Sequence, residues 1–75
     1  MPRYRDVDHD SNVFAYEVGQ NFIDVEFKGG ATYRYSLASV GAEALQTMIA
    51  LAEAGEGLNS FINRRVRKSF ETRLR

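Results

Sequence analysis

Seventy-five residues with ten basic and ten acidic side chains and no cysteine make one small domain, without a disulfide framework or a thiolate metal site. The net charge of zero conceals a split, because residues 1–56 hold nine carboxylates against Arg3, Arg5, Lys28 and Arg34, a balance of −5, and residues 57–75 hold six basic groups against Glu71, a balance of +5. Such asymmetry suggests an acidic or nucleic-acid partner for the basic end, or internal pairing between the two parts of the chain. No stretch approaches the roughly 18 apolar residues of a membrane span, and the first residues lack the apolar run of a signal peptide, so a soluble cytoplasmic protein is expected.

Residues 1–10 are polar and mix both charges, which predicts a loosely held arm ahead of a single domain over 11–75. From residue 13 the pattern changes to period-two alternation. Phe14, Tyr16 and Val18 alternate with Ala15 and Glu17, Ile23, Val25 and Phe27 with Asp24 and Glu26, and Tyr33, Tyr35 and Leu37 with Arg34 and Ser36. Three antiparallel strands are predicted. A two-residue turn at Gln20-Asn21 sets Val18 opposite Ile23, Tyr16 opposite Val25 and Phe14 opposite Phe27. A two-residue turn at Gly29-Gly30 would instead place Val25 opposite Arg34 and mix the faces. The second hairpin therefore needs an odd-length loop, with glycine supplying positive φ, so that Val25 pairs with Tyr33 or Tyr35. Strands 1 and 3 are expected to be edges, with Arg34, Asp24 and Glu26 discouraging further pairing.

Ser39 is a candidate helix N-cap. After it Leu45, Met48, Ile49 and Ala52 recur at helical spacing, flanked by Ala44 and Leu51, until Gly55 ends the helix. A second helix is predicted from about Leu58 to about Phe70, with Leu58, Phe61, Ile62, Val66 and Phe70 on its apolar half. Arg65 falls in the middle of that half and must snorkel or find a partner. The predicted fold class is α+β, a three-stranded antiparallel meander with two C-terminal helices packed on one face.

With Ser11 and Tyr16 in the first strand, Val25-Glu26-Phe27 before the glycines, Tyr33-x-Tyr35, and Phe61, Asn63, Val66 and Arg67 near the end, the chain resembles the KTSC domain. That short module occurs at the C-terminus of some lysyl-tRNA synthetases and as small stand-alone bacterial proteins. The resemblance spans roughly residues 10–70. Where the family has Val-Pro before its first helix, this chain has Ala38-Ser39, and Phe70 stands where a tyrosine is common. The synthetase context implies a role with RNA and carries no catalytic residues with it.

Tyr33 and Tyr35 project from one face of a strand, where they form core if covered and a platform for nucleic-acid bases if open. The alternation favours core. Arg64, Arg67 and Lys68 on the outer half of the second helix, with Arg34, are the candidate phosphate contacts, against the reading of a solvated helix face. Asp6, Asp8, Asp10 and Glu17 match the spacing of a calcium loop. However, Ser11 stands where that loop needs glycine, and strand alternation follows where a helix should, so no metal is expected; His9 reads as solvated. No nucleophile arrangement or phosphate loop is present, so no catalysis and no cofactor are expected. The sequence thus favours a non-catalytic RNA-binding module, with a protein-interaction or homodimerisation module using a strand edge or apolar rim as the alternative.

Overall fold

The alternating segments form β1 (Val13–Val18), β2 (Phe22–Phe27) and β3 (Thr32–Ser36) in a computed structural model that describes residues 1–7 and 11–75. A short β4 (Thr72–Arg73) adds to the outer side of β3, and the antiparallel sheet runs β1-β2-β3-β4. Between β3 and β4 lie α1 (Leu37–Val40), α2 (Ala42–Ala54) and α3 (Leu58–Phe61), the last continuing into a π-helical turn over Ile62–Val66. The class is α+β, with the helices on the apolar face of the meander.

The register follows the hydrophobic phase. Val18 pairs with Ile23 and Tyr16 with Val25 across the Gln20-Asn21 turn. In the second hairpin Val25 pairs with Tyr33, and the Phe27 N–H donates to the Ala31 carbonyl at 2.8 Å. The loop is therefore the odd-length Lys28-Gly29-Gly30, with φ of 105° at Gly29 and 103° at Gly30, values that glycine adopts without a Cβ clash. One pairing differs from expectation. Val13, not Phe14, lies opposite Phe27, and Phe14 is the extra residue of a β-bulge. The bulge turns Val13 into the core and leaves Phe14 outside, beneath the Arg3 guanidinium at 4.4 Å from its ring centroid.

Both expected edges are occupied. Glu71 N–H donates to the Arg34 carbonyl at 2.6 Å and Leu74 N–H to the Thr32 carbonyl at 2.7 Å, which ties the C-terminal segment to β3. At the other edge Arg3 bridges to Ala15, with Tyr4 N–H donating to the Phe14 carbonyl and Tyr16 N–H to the Pro2 carbonyl, each at 3.0 Å. The start of the arm is thus anchored rather than loose. Tyr4 is only 5% exposed within the core, and its hydroxyl accepts from the Leu58 N–H at the start of α3, at 3.3 Å. Arg5 donates to the Glu53 carbonyl at 2.6 Å, and Val7 N–H to the Gly55 carbonyl at 2.7 Å.

The helical start also shifts. Ser36 is the cap, its hydroxyl accepting from Ser39 N–H at 3.1 Å while Ser39 Oγ accepts from Ser36 N–H at 2.9 Å, a reciprocal capping box. Gly41 then separates α1 from α2. In α2 the buried residues are Leu45, Met48 and Ala52, as the helical spacing predicts, and Gly55 ends it. The second helix departs from the 100° wheel because a π turn holds more residues and advances each by a smaller angle. Leu58, Ile62 and Val66 stay in line and buried, and Arg65 swings out to solvent. Phe70 lies beyond the helix, with its ring against Tyr33 at 4.7 Å between centroids.

The core joins Val13, Ile23, Val25 and Tyr35 from the sheet to Met48, Ala52, Leu58, Ile62 and Val66 from the helices, and Tyr4 from the arm. Tyr4→Ala removes a buried ring that links the arm to α3 and costs about 3–5 kcal/mol, whereas the exposed Lys68→Ala stays within about 0.5 kcal/mol. Chemical denaturation of the two variants checks this; equal midpoints would show that the arm does not stabilise the fold.

Candidate functional site

The pairing of Ile23 with Tyr35 and of Val25 with Tyr33 turns both tyrosines toward the helices. Tyr35 is 2% exposed and belongs to the core. Its hydroxyl is pushed up to about 12, first by burial, which disfavours phenolate, and then by neighbouring Tyr33. Tyr33 is half-buried within an aromatic group. Phe27 meets it edge-on at 6.0 Å, Phe70 tilts against it at 4.7 Å, and the Arg73 guanidinium lies 5.6 Å from its centroid. The pair is therefore not an open platform for bases.

Arg34 points to the opposite face, together with Asp24, its partner across β2 and β3. Its Nε donates to Asp24 Oδ1 at 2.8 Å and its Nη2 to Oδ2 at 3.0 Å, a two-point grip on a carboxylate that is itself buried. The guanidinium also stacks 3.9 Å from the centroid of Phe22. Its pKa is raised, chiefly by the hydrogen bond to Asp24, with burial acting in the opposite direction. Gly19 makes room for this arrangement, since a methyl group there would overlap the Phe22 ring. Arg34 is thus a neutralised member of an ion pair and is separated by the sheet from the tyrosines.

Arg64, Arg67 and Lys68 are exposed along the π turn and the residues just after it, and Arg65 joins them. Arg73 and Arg75 follow on the C-terminal segment, also exposed. Among the described residues the ion pairs within 4 Å are Lys28–Asp6 and Arg34–Asp24, so the C-terminal basic groups are not neutralised by close carboxylates. Sequence reasoning missed two members of the site. Arg65 was placed inward by the 100° wheel. The Phe22–Arg34 stack had a signal in the register, because Phe22 shares the even-numbered face with Asp24 and stands out of phase with the apolar set.

Among the described residues no group of three or more His, Cys, Asp or Glu is arranged to hold a metal ion, and no helix is long and apolar enough to cross a membrane. Asp8, His9 and Asp10, three of the calcium-like or ligand-like residues, lie outside the described residues; Asp6 accepts from Ser11 N–H at 3.1 Å and from Lys28 Nζ at 3.4 Å. The chain matches no family model, no curated protein and no solved structure.

The Tyr35 shift has a defined pH signature. An unfolded tyrosine loses its proton near pH 10, whereas Tyr35 holds its own to about 12, so the unfolded chain is deprotonated first. The stability that Tyr35 contributes is complete below about pH 10 and is lost as pH rises through the folded value. Denaturation midpoints from pH 9 upward should fall more steeply for the native chain than for Tyr35→Phe, and parallel curves would contradict the burial of a neutral phenol.

Proposed function

We propose that this chain is a non-catalytic module, related to the KTSC domain, that binds single-stranded RNA through the exposed basic surface of Arg64, Arg65, Arg67 and Lys68. One observation carries the reading. Four cationic side chains follow one another on a short helical segment, all exposed and none within 4 Å of a carboxylate among the described residues. Backbone phosphates are the ligands that such a row neutralises, with release of their counterions. Arg34 stands apart because Asp24 grips its Nε and Nη2 and balances its charge. The protein-interaction alternative has weaker support at the strand edges, since β4 and the Arg3 segment take up β3 and β1.

Four phosphate contacts at a slope near −0.7 each lower affinity about 50-fold between 50 and 200 mM salt. Fluorescence anisotropy of a labelled single-stranded RNA measures this directly. The double variant Arg64→Glu/Lys68→Glu should abolish most binding at 50 mM salt with an unchanged melting temperature, because both side chains are exposed. Binding absent at 50 mM salt, or indifferent to salt and to the double variant, would turn the assignment toward a protein partner.

A further inference from the structure

Phe27, Tyr33 and Phe70 form an aromatic group at the end of the basic segment, and its outermost ring is incompletely covered. Phe70 packs on Tyr33 at 4.7 Å between centroids with a tilt of 52°, and 36% of the residue stays exposed, whereas Phe27 and Tyr33 are half-buried. Phe70 is thus the member of the group that meets water most.

An exposed phenyl alone needs no explanation. This one sits between cations. Lys68 precedes it by two residues, a span of at most about 7 Å, and the Arg73 guanidinium lies 5.6 Å from the centroid of the same Tyr33 ring that Phe70 covers. Neither cation has a carboxylate within 4 Å among the described residues. Glu71, the carboxylate nearest in sequence, turns to the outer face of the sheet, where it lines a groove with Phe22 and Arg34 and adds to the rise in the Arg34 pKa. The register separates the same two sides, since Arg73 pairs with Tyr33 and Thr72 with Arg34.

A single-stranded nucleic acid offers a charged backbone and unstacked bases. Cations alone hold the backbone. An open aromatic ring flanked by cations also takes a base, by stacking that tolerates any sequence because every base has a π-face.

We infer that Phe70 is the base-stacking residue of this surface, receiving one unpaired base on its exposed side while Lys68 and Arg73 hold the phosphates around it. The inference rests on the RNA reading, and it makes the ligand a single strand with bases rather than any polyanion.

The test compares a short oligouridine with an inorganic polyphosphate of matched chain length, titrated into the full chain. Phe70→Leu keeps an apolar cover on Tyr33 and removes the ring. It is expected to weaken oligouridine about tenfold and to leave polyphosphate binding unchanged. Phe70→Trp keeps a stacking face and gives the chain, which has no tryptophan, a single indole reporter. Its affinity for oligouridine should match or exceed that of the native chain, with emission quenched by oligouridine and not by polyphosphate. Arg64→Glu/Lys68→Glu should weaken both polyanions, which separates the charged row from the ring. Equal oligouridine affinity for Phe70→Leu and the native chain, an equal weakening of polyphosphate by Phe70→Leu, or indole emission indifferent to oligouridine overturns the inference and leaves the basic row standing. Oligouridine left unbound by the native chain overturns the RNA reading and this inference together.

Discussion

Pairing Val25 with Tyr33 across a three-residue loop decides which side of the sheet every residue of β2 and β3 occupies. One residue of slip would drive Asp24 and Arg34 against Met48 and leave Ile23, Val25 and Tyr35 in water. Burying that ion pair in an apolar core costs more than its attraction returns, while the apolar residues would lose most of their burial. Gly29 and Gly30 make the observed phase accessible, because both sit at a positive φ that residues with a side chain rarely adopt. The register therefore yields two chemically different faces. One packs Tyr35 and Ile23 on the helices, and the other holds a gripped arginine over Phe22.

A domain this small has little interior to spare, and both ends of the chain add to it. The arm contributes Tyr4 to the core and hydrogen-bonds along β1, and the C-terminal segment contributes Phe70 to the Tyr33 cluster and β4 to the sheet. These additions also cover backbone N–H and C=O groups that a bare three-stranded meander would leave open at its edges. The basic row from Arg64 to Lys68 is held between two such fixed points. Ile62 is buried on one side, and Glu71 is hydrogen-bonded to β3 on the other. A short, tethered segment presents its charges with little loss of conformational entropy on binding.

What the sequence disclosed depended on whether the signal was local. Strand phase and the odd-length loop were legible because alternation over 13–37 admits only one arrangement that keeps Arg34 out of the core, and the α2 stripe was legible because Leu45, Met48 and Ala52 keep α-helical spacing. The bulge at Phe14, the docking of Tyr4 and the pairing of Thr72–Arg73 with β3 were not, since each depends on residues far apart in the chain. The π turn lies between these cases. Arg65 at the centre of an apolar arc was the visible conflict, and a change of helical pitch resolves it without a counter-charge. For the site, Arg64, Arg67 and Lys68 were legible as an outer face, whereas the engagement of Arg34 by Asp24 follows only from cross-strand pairing.

The two kinds of arginine in this chain bear on what each can contribute to recognition. An exposed, unpaired guanidinium gains by meeting a phosphate, and the gain is the same for every sequence because the backbone is the same. A guanidinium whose charge is already balanced by a buried carboxylate gains less from a phosphate, and in Arg34 one planar face is also taken by the Phe22 ring. Asp24 would be left buried without its counter-charge if Arg34 moved to another ligand, so that pair holds its position whatever binds nearby. Under the proposed reading, affinity comes from the row at 64–68, and the Arg34–Asp24 pair contributes to the fold rather than to binding.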